Sequence, residues 1–284
     1  MSRWLVTGAG GMLGQDLLAV LKDTASSVTA LARTDLDITD PAAVRAAVTD
    51  HDVVVNAAAW TDVDGAETAE AAATAVNGVG VGHLADACAS AGARLLHVST
   101  DYVFAGDGTS PYAEDAPTAP VNAYGRSKLV GERAVLTLAP DVGYVVRTAW
   151  LYGAGGRNFV TTMLRLAAER DTLDVVDDQR GQPTWSRALA QQLVALGGAA
   201  LAGSAPAGVY HGTASGETTW YGLAREVFAR RGLDPDRIRP TTSAAYVRPA
   251  PRPAYSVLGH ARWAAAGLPP LPDWRTSLAT FLST

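Results

Sequence analysis

A tyrosine and a lysine stand four residues apart in the segment NAYGRSK, at Tyr124 and Lys128. Residues at this spacing lie on the same face of a helix. A tyrosine alone is a weak acid with a pKa of about 10, and a neighbouring ammonium group favours its phenolate form. With 9 tyrosines and two lysines in 284 residues, chance predicts only about 0.06 such pairs. The pair therefore indicates acid–base chemistry at a carbonyl or an alcohol.

A further candidate group follows the run RLLHVST, which predicts a buried strand over 94–100 and ends at Thr100 and Asp101. Thr100 would hydrogen-bond a substrate carbonyl, and Tyr124 would deliver the proton. Lys128 would lower the pKa of Tyr124 and hold the ribose hydroxyls of a nicotinamide cofactor. Lysine suits that double role because it is a compact charge on a flexible stem. The alternative is a solvated helix pair beside an ordinary strand-end turn.

The segment TGAGGMLG places Gly8, Gly11 and Gly14 directly after a predicted strand and at the start of a predicted helix. Small residues let the backbone turn tightly and approach a pyrophosphate, whose charge the helix N-terminus favours. This position makes dinucleotide binding the preferred interpretation, and a plain tight turn is the alternative.

The second predicted strand ends in LARTD, with Arg33 where an NAD-preferring site usually carries an acidic residue. A cation suits the 2′-phosphate of NADP. The residue therefore favours NADPH over NADH, with NADH still possible. The alternative is a solvated arginine beside Asp35 and Asp37.

Short β-branched runs predict strands, at 4–8, 27–32, 52–59, 94–100 and 142–153. Amphipathic stretches between them predict helices, at 12–22, 39–50, 66–92 and 123–138. Strands alternating with helices predict an α/β fold, a doubly wound parallel sheet of the Rossmann type. Such a sheet binds ligands at the carboxyl ends of its strands, where every candidate group above is expected.

The pattern changes after about residue 155, where helices near 158–170, 186–201 and 219–231 alternate with short strands. We expect residues 1–170, joined by about 186–212, to form the dinucleotide-binding domain. Residues 171–284 then form mainly a smaller C-terminal α+β cap that binds the substrate.

Composition and charge exclude several classes of protein. The net charge of −5 and the lack of Lys/Arg runs argue against a nucleic-acid surface. The single Cys88 excludes an internal disulfide, and its apolar setting indicates a buried side chain. Neither a signal peptide nor an apolar run of 18 residues is visible, so we expect a cytoplasmic protein without a membrane partner. The five histidines are dispersed without ligand spacing, so we predict structural or surface roles for them and no metal site.

Several segments together resemble a known superfamily. The glycine loop, NAAA, STDYVF and YGRSK are similar to the extended short-chain dehydrogenase/reductases. Longer segments, among them RTAWLYG, NFVTTML, DDQRGQPTW, YHGTASGETTWYGLA and RPAYSVL, resemble the dTDP-4-dehydrorhamnose reductase family across nearly the whole chain. The resemblance implies reduction of the 4-keto group of dTDP-4-dehydro-L-rhamnose to dTDP-L-rhamnose, with NADPH or NADH as cofactor.

The resemblance also implies roles for particular residues. The catalytic residues would be Thr100, Tyr124 and Lys128. Besides Tyr124 and Lys128, the cofactor would contact Gly8, Gly11, Met12, Leu13, Gly14, Arg33, Asp37, Ile38, Ala59, Trp60, Thr61 and Val98. The substrate would contact Thr100, Asp101, Trp150, Asn158, Gln182, Thr184 and Arg252. Core packing is the alternative for Trp150, and loop-stabilising hydrogen bonds are the alternative for the last four.

One difference from related families disfavours a dehydratase, while other functions stay open. Tyr102 follows Asp101 where dehydratases place a glutamate, so dehydration is disfavoured. A reductase or epimerase acting on another nucleotide sugar stays open, as does a non-catalytic NADP-binding regulatory subunit. The oligomeric state is expected to be monomer or homodimer, and the family implies a role in cell-wall or surface polysaccharide.

Overall fold

All 284 residues are described by the structure, a computed structural model. The strands are β1 (Arg3–Thr7), β2 (Ser27–Leu31), β3 (Val53–Asn56), β4 (Arg94–Thr100), β5 (Gly143–Thr148), β6 (Leu151–Tyr152), β7 (Leu173–Val176), β8 (Arg180–Gly181), β9 (Thr184–Trp185), β10 (Gly208–His211), β11 (Ala214–Ser215), β12 (Thr218–Thr219), β13 (Ile238–Thr241) and β14 (Leu271–Asp273). The helices are α1 (Met12–Lys22), α2 (Pro41–Val48), α3 (Val63–Ala66), α4 (Glu70–Thr74), α5 (Val81–Ala91), α6 (Ala123–Leu138), α7 (Phe159–Glu169), α8 (Ser186–Leu201), α9 (Trp220–Arg230), α10 (Arg262–Ala265) and α11 (Trp274–Ser283).

Six strands form one parallel sheet in the order β10–β5–β4–β3–β1–β2. The order reverses beside β1, so the loop after β1 lies at the switch point where such sheets bind ligands. The predicted doubly wound α/β fold is therefore confirmed. Each of the five strands predicted for the first half contributes to this sheet, and β4 has the predicted bounds. The run predicted as one strand over 142–153 is divided, because β5 ends at Thr148 and β6 pairs with β9 outside this sheet.

Side chains of the central strands alternate between two apolar layers, because successive residues of a strand point to opposite faces. Trp4 and Val6 pack with α1 and α8, whereas Leu5 packs with α2, α5 and α6. Both faces are covered by helices, and this accounts for the nearly continuous apolar runs that predicted the strands.

Local signals fix two helix ends. Asp40 begins α2, in the stretch predicted as a helix over 39–50, and accepts hydrogen bonds from the N–H groups of Ala42 and Ala43 at 2.8 and 3.1 Å. The helix predicted over 66–92 begins at Glu70 and continues from α4 into α5 through a π-helical turn over Ala75–Gly80. It ends at Gly92, whose φ of 72° is the left-handed conformation that glycine adopts most easily.

A separate apolar core holds the cap together. It includes side chains from α7, α9 and α11, among them Val160, Met163, Val227, Phe228, Trp274 and Leu278. Helix α7 therefore packs with the cap, although the expected boundary near residue 170 places it in the first domain. The segment 186–212 contains α8 and β10, which pack on and pair within the six-stranded sheet. None of the helices combines the length and the apolar character needed to cross a bilayer.

Candidate active site

The carboxyl end of β4 supplies Thr100 and Asp101. The Thr100 hydroxyl donates to Asp101 Oδ1 at 3.0 Å and accepts from the N–H of Tyr102 at 3.2 Å, so it also caps the short turn over Asp101–Val103. Asp101 Oδ2 is buried without a partner at hydrogen-bond geometry, although the side chain of Ser256 lies near the carboxylate. Burial raises the pKa of Asp101 to about 6, because the charged form loses hydration. The strand end therefore carries one hydroxyl and one unsatisfied carboxylate oxygen.

Helix α6 brings Tyr124 to the same rim. Asn122 begins the helix by accepting from the N–H of Gly125 at 2.8 Å. A Cβ on Gly125 would lie 2.2 Å from the carbonyl oxygen of Tyr102, so only glycine allows the helix to approach the turn this closely. The rings of Tyr102 and Tyr124 pack edge to face, with centroids 6.0 Å apart. As a result the hydroxyl of Tyr124 lies beside that of Thr100.

Tyr124 is half-buried, and burial raises its pKa to about 12. The charge of Asp101 adds to this rise, and the neighbouring hydroxyl of Thr100 opposes it. The expected lowering of this pKa by Lys128 is therefore wrong for the chain by itself, because desolvation dominates. Tyr124 is fully protonated at neutral pH, which is the state that a proton donor needs.

Lys128 lies one turn further along α6 and is 2% exposed. Its ammonium donates to the carbonyl of Val98 at 2.7 Å, and Nζ lies 3.4 Å from Nε2 of His97. Burial lowers the pKa of Lys128 to about 8, while the charge of Glu132 opposes that shift. The predicted pair thus lies on one helix face, with its lysine against β4.

The glycine loop after β1 forms an open cradle. Gly8 has a φ of 70°, and a Cβ there would lie 2.5 Å from the N atom of Ala58. A Cβ on Gly14 would lie 2.3 Å from the carbonyl oxygen of Gly8. Helix α1 begins after Gly11 without a side-chain cap, so the N–H groups of its first turn keep their hydrogen-bonding capacity. The cradle therefore fits the pyrophosphate of a dinucleotide.

Asn77 joins the segment Ala59–Thr61, which follows β3, to helix α6. Its amide accepts from the N–H of Trp60 at 2.8 Å and donates to the carbonyl of Trp60 at 3.0 Å. It also donates to the hydroxyl of Ser127, the neighbour of Lys128, at 2.9 Å. Sequence reasoning missed this residue, although a lone amide in the apolar stretch AVNGVG was the available signal.

A cavity of about 370 Å³ lies between the cap and the turn after β4, where Tyr102 forms part of its wall. Most of the remaining wall is aromatic or aliphatic, contributed by Phe159, Met163, Leu166, Leu173, Val175, Val176, Trp220 and Tyr246. Arg248 and Arg252 add positive charge. Asp174 adds one negative charge. Apolar walls with a few charged groups are typical of a site for an organic ligand.

The family described as the RmlD substrate binding domain matches residues 2–284. A dTDP-4-dehydrorhamnose reductase of Streptomyces griseus is 62% identical over 278 residues, which cover 97% of this chain and 91% of the relative. The chain belongs to the dTDP-4-dehydrorhamnose reductase family. A dTDP-4-keto-6-deoxy-D-glucose reductase of Streptomyces niveus is 54% identical, with coverage of 97% and 95%. The dTDP-4-dehydrorhamnose reductase of Bacillus anthracis, solved in complex with NADP, superimposes with a TM-score of 0.94 at 34% identity and covers 99% of both chains.

As a member of this reductase family, the chain is an oxidoreductase. The residues predicted to contact the adenosine part of its cofactor follow β2. Arg33 is exposed just beyond that strand, and its charge contributes to lowering the pKa of Asp37. The Asp37 carboxylate accepts from the N–H and hydroxyl of Thr39 at 2.9 and 2.8 Å. Ile38 is buried against Gly80. The side chain of Arg33 makes no hydrogen bond or ion pair within the protein, unlike that of Asp37, and is therefore available to a ligand.

Trp150 lies in the wall behind the cavity of this reductase. Its ring stacks on Trp220 with centroids 3.6 Å apart and an angle of 8° between the planes. The backbone of Trp150 has a φ of 48°, which is unusual for a residue with a side chain. Gly181 permits the stack, because a Cβ there would lie 2.6 Å from Cε2 of Trp150. Trp220, which sequence reasoning missed, is the member of the pair that lines the cavity.

Three predicted substrate residues have other roles in the structure. Asn158 caps α7, accepting from the N–H of Thr161 and donating to two backbone carbonyls. Gln182 is buried and bonds to the hydroxyl of Thr213 and to the backbone of the C-terminal loop. Thr184 is buried and donates to the carbonyl of Gln182. Their amide and hydroxyl groups are occupied by hydrogen bonds within the protein, which is the alternative role for these three residues.

Arg252 reaches the cavity but is also held by the first domain. Its guanidinium lies 3.0 Å from Asp64, which follows the cofactor segment, and Arg248 lies 3.7 Å from the same carboxylate. The two arginines are thus gathered at one side of the cavity by a shared acidic partner.

Proposed function

We propose that this chain reduces the 4-keto group of dTDP-4-dehydro-L-rhamnose to dTDP-L-rhamnose. One observation carries the proposal: Thr100 ends β4, and Tyr124 and Lys128 lie on one face of α6 beside it. A glycine cradle follows β1 of the same sheet, and a cavity with two arginines lies next to the turn after β4. The combination suits a carbonyl reductase that acts on a sugar diphosphate. The relative from Streptomyces griseus, named for this reaction, supports the choice of substrate.

The cofactor is NADPH, which supplies the hydride when it is bound. Gly8 and Gly14 let its pyrophosphate approach the backbone, and the first turn of α1 provides N–H donors. Arg33 would meet the 2′-phosphate. Lys128 would hold the hydroxyls of the nicotinamide ribose with the N–H groups that do not bind Val98.

The proton comes from the Tyr124 hydroxyl, which is protonated at neutral pH because burial raises its pKa to about 12. As the carbonyl oxygen gains negative charge, Tyr124 passes its proton to that oxygen and Thr100 donates a second hydrogen bond. The ammonium form of Lys128, on the same helix face, stabilises the phenolate that remains. The unsatisfied oxygen of Asp101 would accept from a sugar hydroxyl.

The cavity would bind the base, sugar and diphosphate of the substrate. Its aromatic wall, built on the Trp150–Trp220 stack, suits the flat base and sugar faces of a nucleotide sugar. Arg248 and Arg252 suit the diphosphate, because guanidinium groups bind phosphate oxygens with two parallel hydrogen bonds.

A second candidate substrate is dTDP-4-keto-6-deoxy-D-glucose. It is favoured by the relative from Streptomyces niveus, which is 54% identical and is named for reducing that sugar. The two keto sugars carry the same nucleotide and differ in ring stereochemistry, so the cradle and the catalytic residues serve either one.

Purified protein should oxidise NADPH when dTDP-4-dehydro-L-rhamnose is added, measured at the nicotinamide absorbance band. The product should be dTDP-L-rhamnose by NMR. No oxidation, or another product, would overturn the proposal. A higher kcat/KM for dTDP-4-keto-6-deoxy-D-glucose in the same assay would select the second candidate.

Arg33→Ala should raise the KM for NADPH about tenfold or more, since a charge-assisted contact to the 2′-phosphate contributes about 1.5–3 kcal/mol. NADH is the internal control, because it lacks that phosphate and its KM should stay within about twofold of the wild-type value. Equal effects on both cofactors would remove Arg33 from this role.

A further inference from the structure

A buried chain of polar side chains runs from β1 to α6 beneath the catalytic rim. The hydroxyl of Thr7 donates to Asn56 Oδ1 at 2.7 Å, and Asn56 Nδ2 lies 3.0 Å from His97 Nδ1. On its other side, His97 Nε2 lies 3.4 Å from Lys128 Nζ. All four side chains are at most 2% exposed. Because water cannot replace a missing partner there, each donor in the chain needs an acceptor.

A backbone N–H determines which atom of the Asn56 amide donates and which accepts. The N–H of Ala58 can only donate, and it lies 3.1 Å from Asn56 Oδ1. That atom is therefore the amide oxygen, and the Nδ2 group that faces His97 must donate. His97 Nδ1 must then accept, so the neutral ring carries its proton on Nε2. Burial and the charge of Lys128 hold the pKa of His97 well below its usual range, so the ring is neutral.

This tautomer turns an N–H donor toward Lys128. An ammonium group has three donors and no acceptor, whereas a neutral amine has a lone pair that accepts. In the other tautomer, the proton on Nδ1 of His97 would face the Nδ2 group of Asn56, so two donors would oppose each other at that contact. Every arrangement with the ammonium form therefore contains one donor–donor contact, and the arrangement with the neutral amine contains none.

The other charged groups around Lys128 do not remove this preference for its neutral amine form. Glu132, one turn further along α6, favours the ammonium form. However, Arg147 from β5 binds both carboxylate oxygens of Glu132, at 2.9 and 2.8 Å, and offsets much of its charge. Tyr124 is uncharged at neutral pH, and the charge of Asp101 in the turn after β4 acts on Tyr124. Burial lowers the pKa of Lys128 to about 8, against the remaining charge of Glu132.

We propose that His97 is a positioning residue for Lys128. Held by Asn56 with its proton on Nε2, it disfavours the ammonium form of Lys128 and so sets the alkaline limit of the activity. The effect on activity rests on the proposed function, in which the ammonium form stabilises the Tyr124 phenolate. The effect of His97 on the protonation of Lys128 does not depend on any reaction.

The chain contains only two lysines, so the protonation of Lys128 can be followed directly. In protein labelled with ¹³C at lysine Cε, an NMR titration should show two signals, with exposed Lys22 as the reference. The variant His97→Gln can turn an amide oxygen toward Lys128, so the titration midpoint of Lys128 should rise by about 1 pH unit. The matched control is His51→Gln, a histidine bonded to Thr29 and Thr49 far from α6, which should leave the midpoint unchanged.

A midpoint that stays or falls in His97→Gln would overturn the proposal. If that variant does not fold, the ¹⁵N spectrum of labelled histidines in the wild-type protein decides, since a proton on Nδ1 of His97 would also overturn it. Asn56→Asp gives a further test, because a carboxylate accepts from Nδ1, leaves Nε2 as an acceptor and should raise the midpoint of Lys128.

The alkaline limb of kcat/KM for NADPH-dependent reduction should move upward with the NMR midpoint in His97→Gln. If the midpoint moves but no keto sugar is reduced, the proposed function fails while the role of His97 stands. If the sugar is reduced and the midpoint is unmoved, only the role of His97 fails.

Discussion

Tyr124→Phe is expected to lower kcat by about 10²-fold or more, which is the usual loss when a positioned general acid is removed. The substitution takes away only the hydroxyl, and the ring can keep its edge-to-face contact with Tyr102. The KM values for NADPH and for the keto sugar should therefore change little. Steady-state kinetics at pH 7 would measure both effects, and the melting temperature would report on the fold.

Tyr221→Phe is the matched control, because it removes a tyrosine hydroxyl from α9, where the group accepts a hydrogen bond from Arg225. Its kcat should stay within about twofold of the wild-type value, since surface changes away from a site have small effects. Turnover by Tyr124→Phe at the rate of this control would exclude Tyr124 as the proton donor.

Glu132→Gln is expected to destabilise the protein by about 3 kcal/mol or more, the range for breaking a buried ion pair. Glu132 and Arg147 are at most 4% exposed, and they join α6 to β5 through two-pronged contacts at 2.8–3.2 Å. The substitution leaves the buried Arg147 guanidinium with neutral partners only, namely the new amide oxygen, His211 and the carbonyl of Glu114. The melting temperature should fall by about 6–12 °C.

Glu70→Gln provides the comparison for that loss. Glu70 and Arg126 also form a two-pronged pair, with both contacts at 2.7 Å, but these side chains are 43% and 44% exposed. A solvated pair contributes about 0–1 kcal/mol, so this variant should melt within a few degrees of the wild-type protein. Equal losses in the two variants would show that burial does not decide the strength of the Glu132–Arg147 pair.

The cap shows where sequence reasoning fails. Asn158, Gln182 and Thr184 have the chemistry of sugar-binding residues, but the structure uses them to cap α7 and to fasten loops. An amide bonds equally well to a backbone carbonyl and to a ligand hydroxyl, so residue type cannot distinguish the two roles. Trp220, which lines the cavity, has no motif of its own and gains its place from stacking on Trp150.

The sequence by itself determined the doubly wound sheet, the glycine cradle and the shared helix face of Tyr124 and Lys128. Each of these depends on periodicity or on residues close together along the chain, and local sterics and hydrogen bonding act at that range. Only the tertiary structure decided that burial would raise the pKa of Tyr124 and that His97 would face Lys128. It also decided the pairing of Arg147 with Glu132. Burial and these contacts depend on strands and helices that are far apart in the chain. They therefore cannot be predicted from the spacing of residues in the sequence.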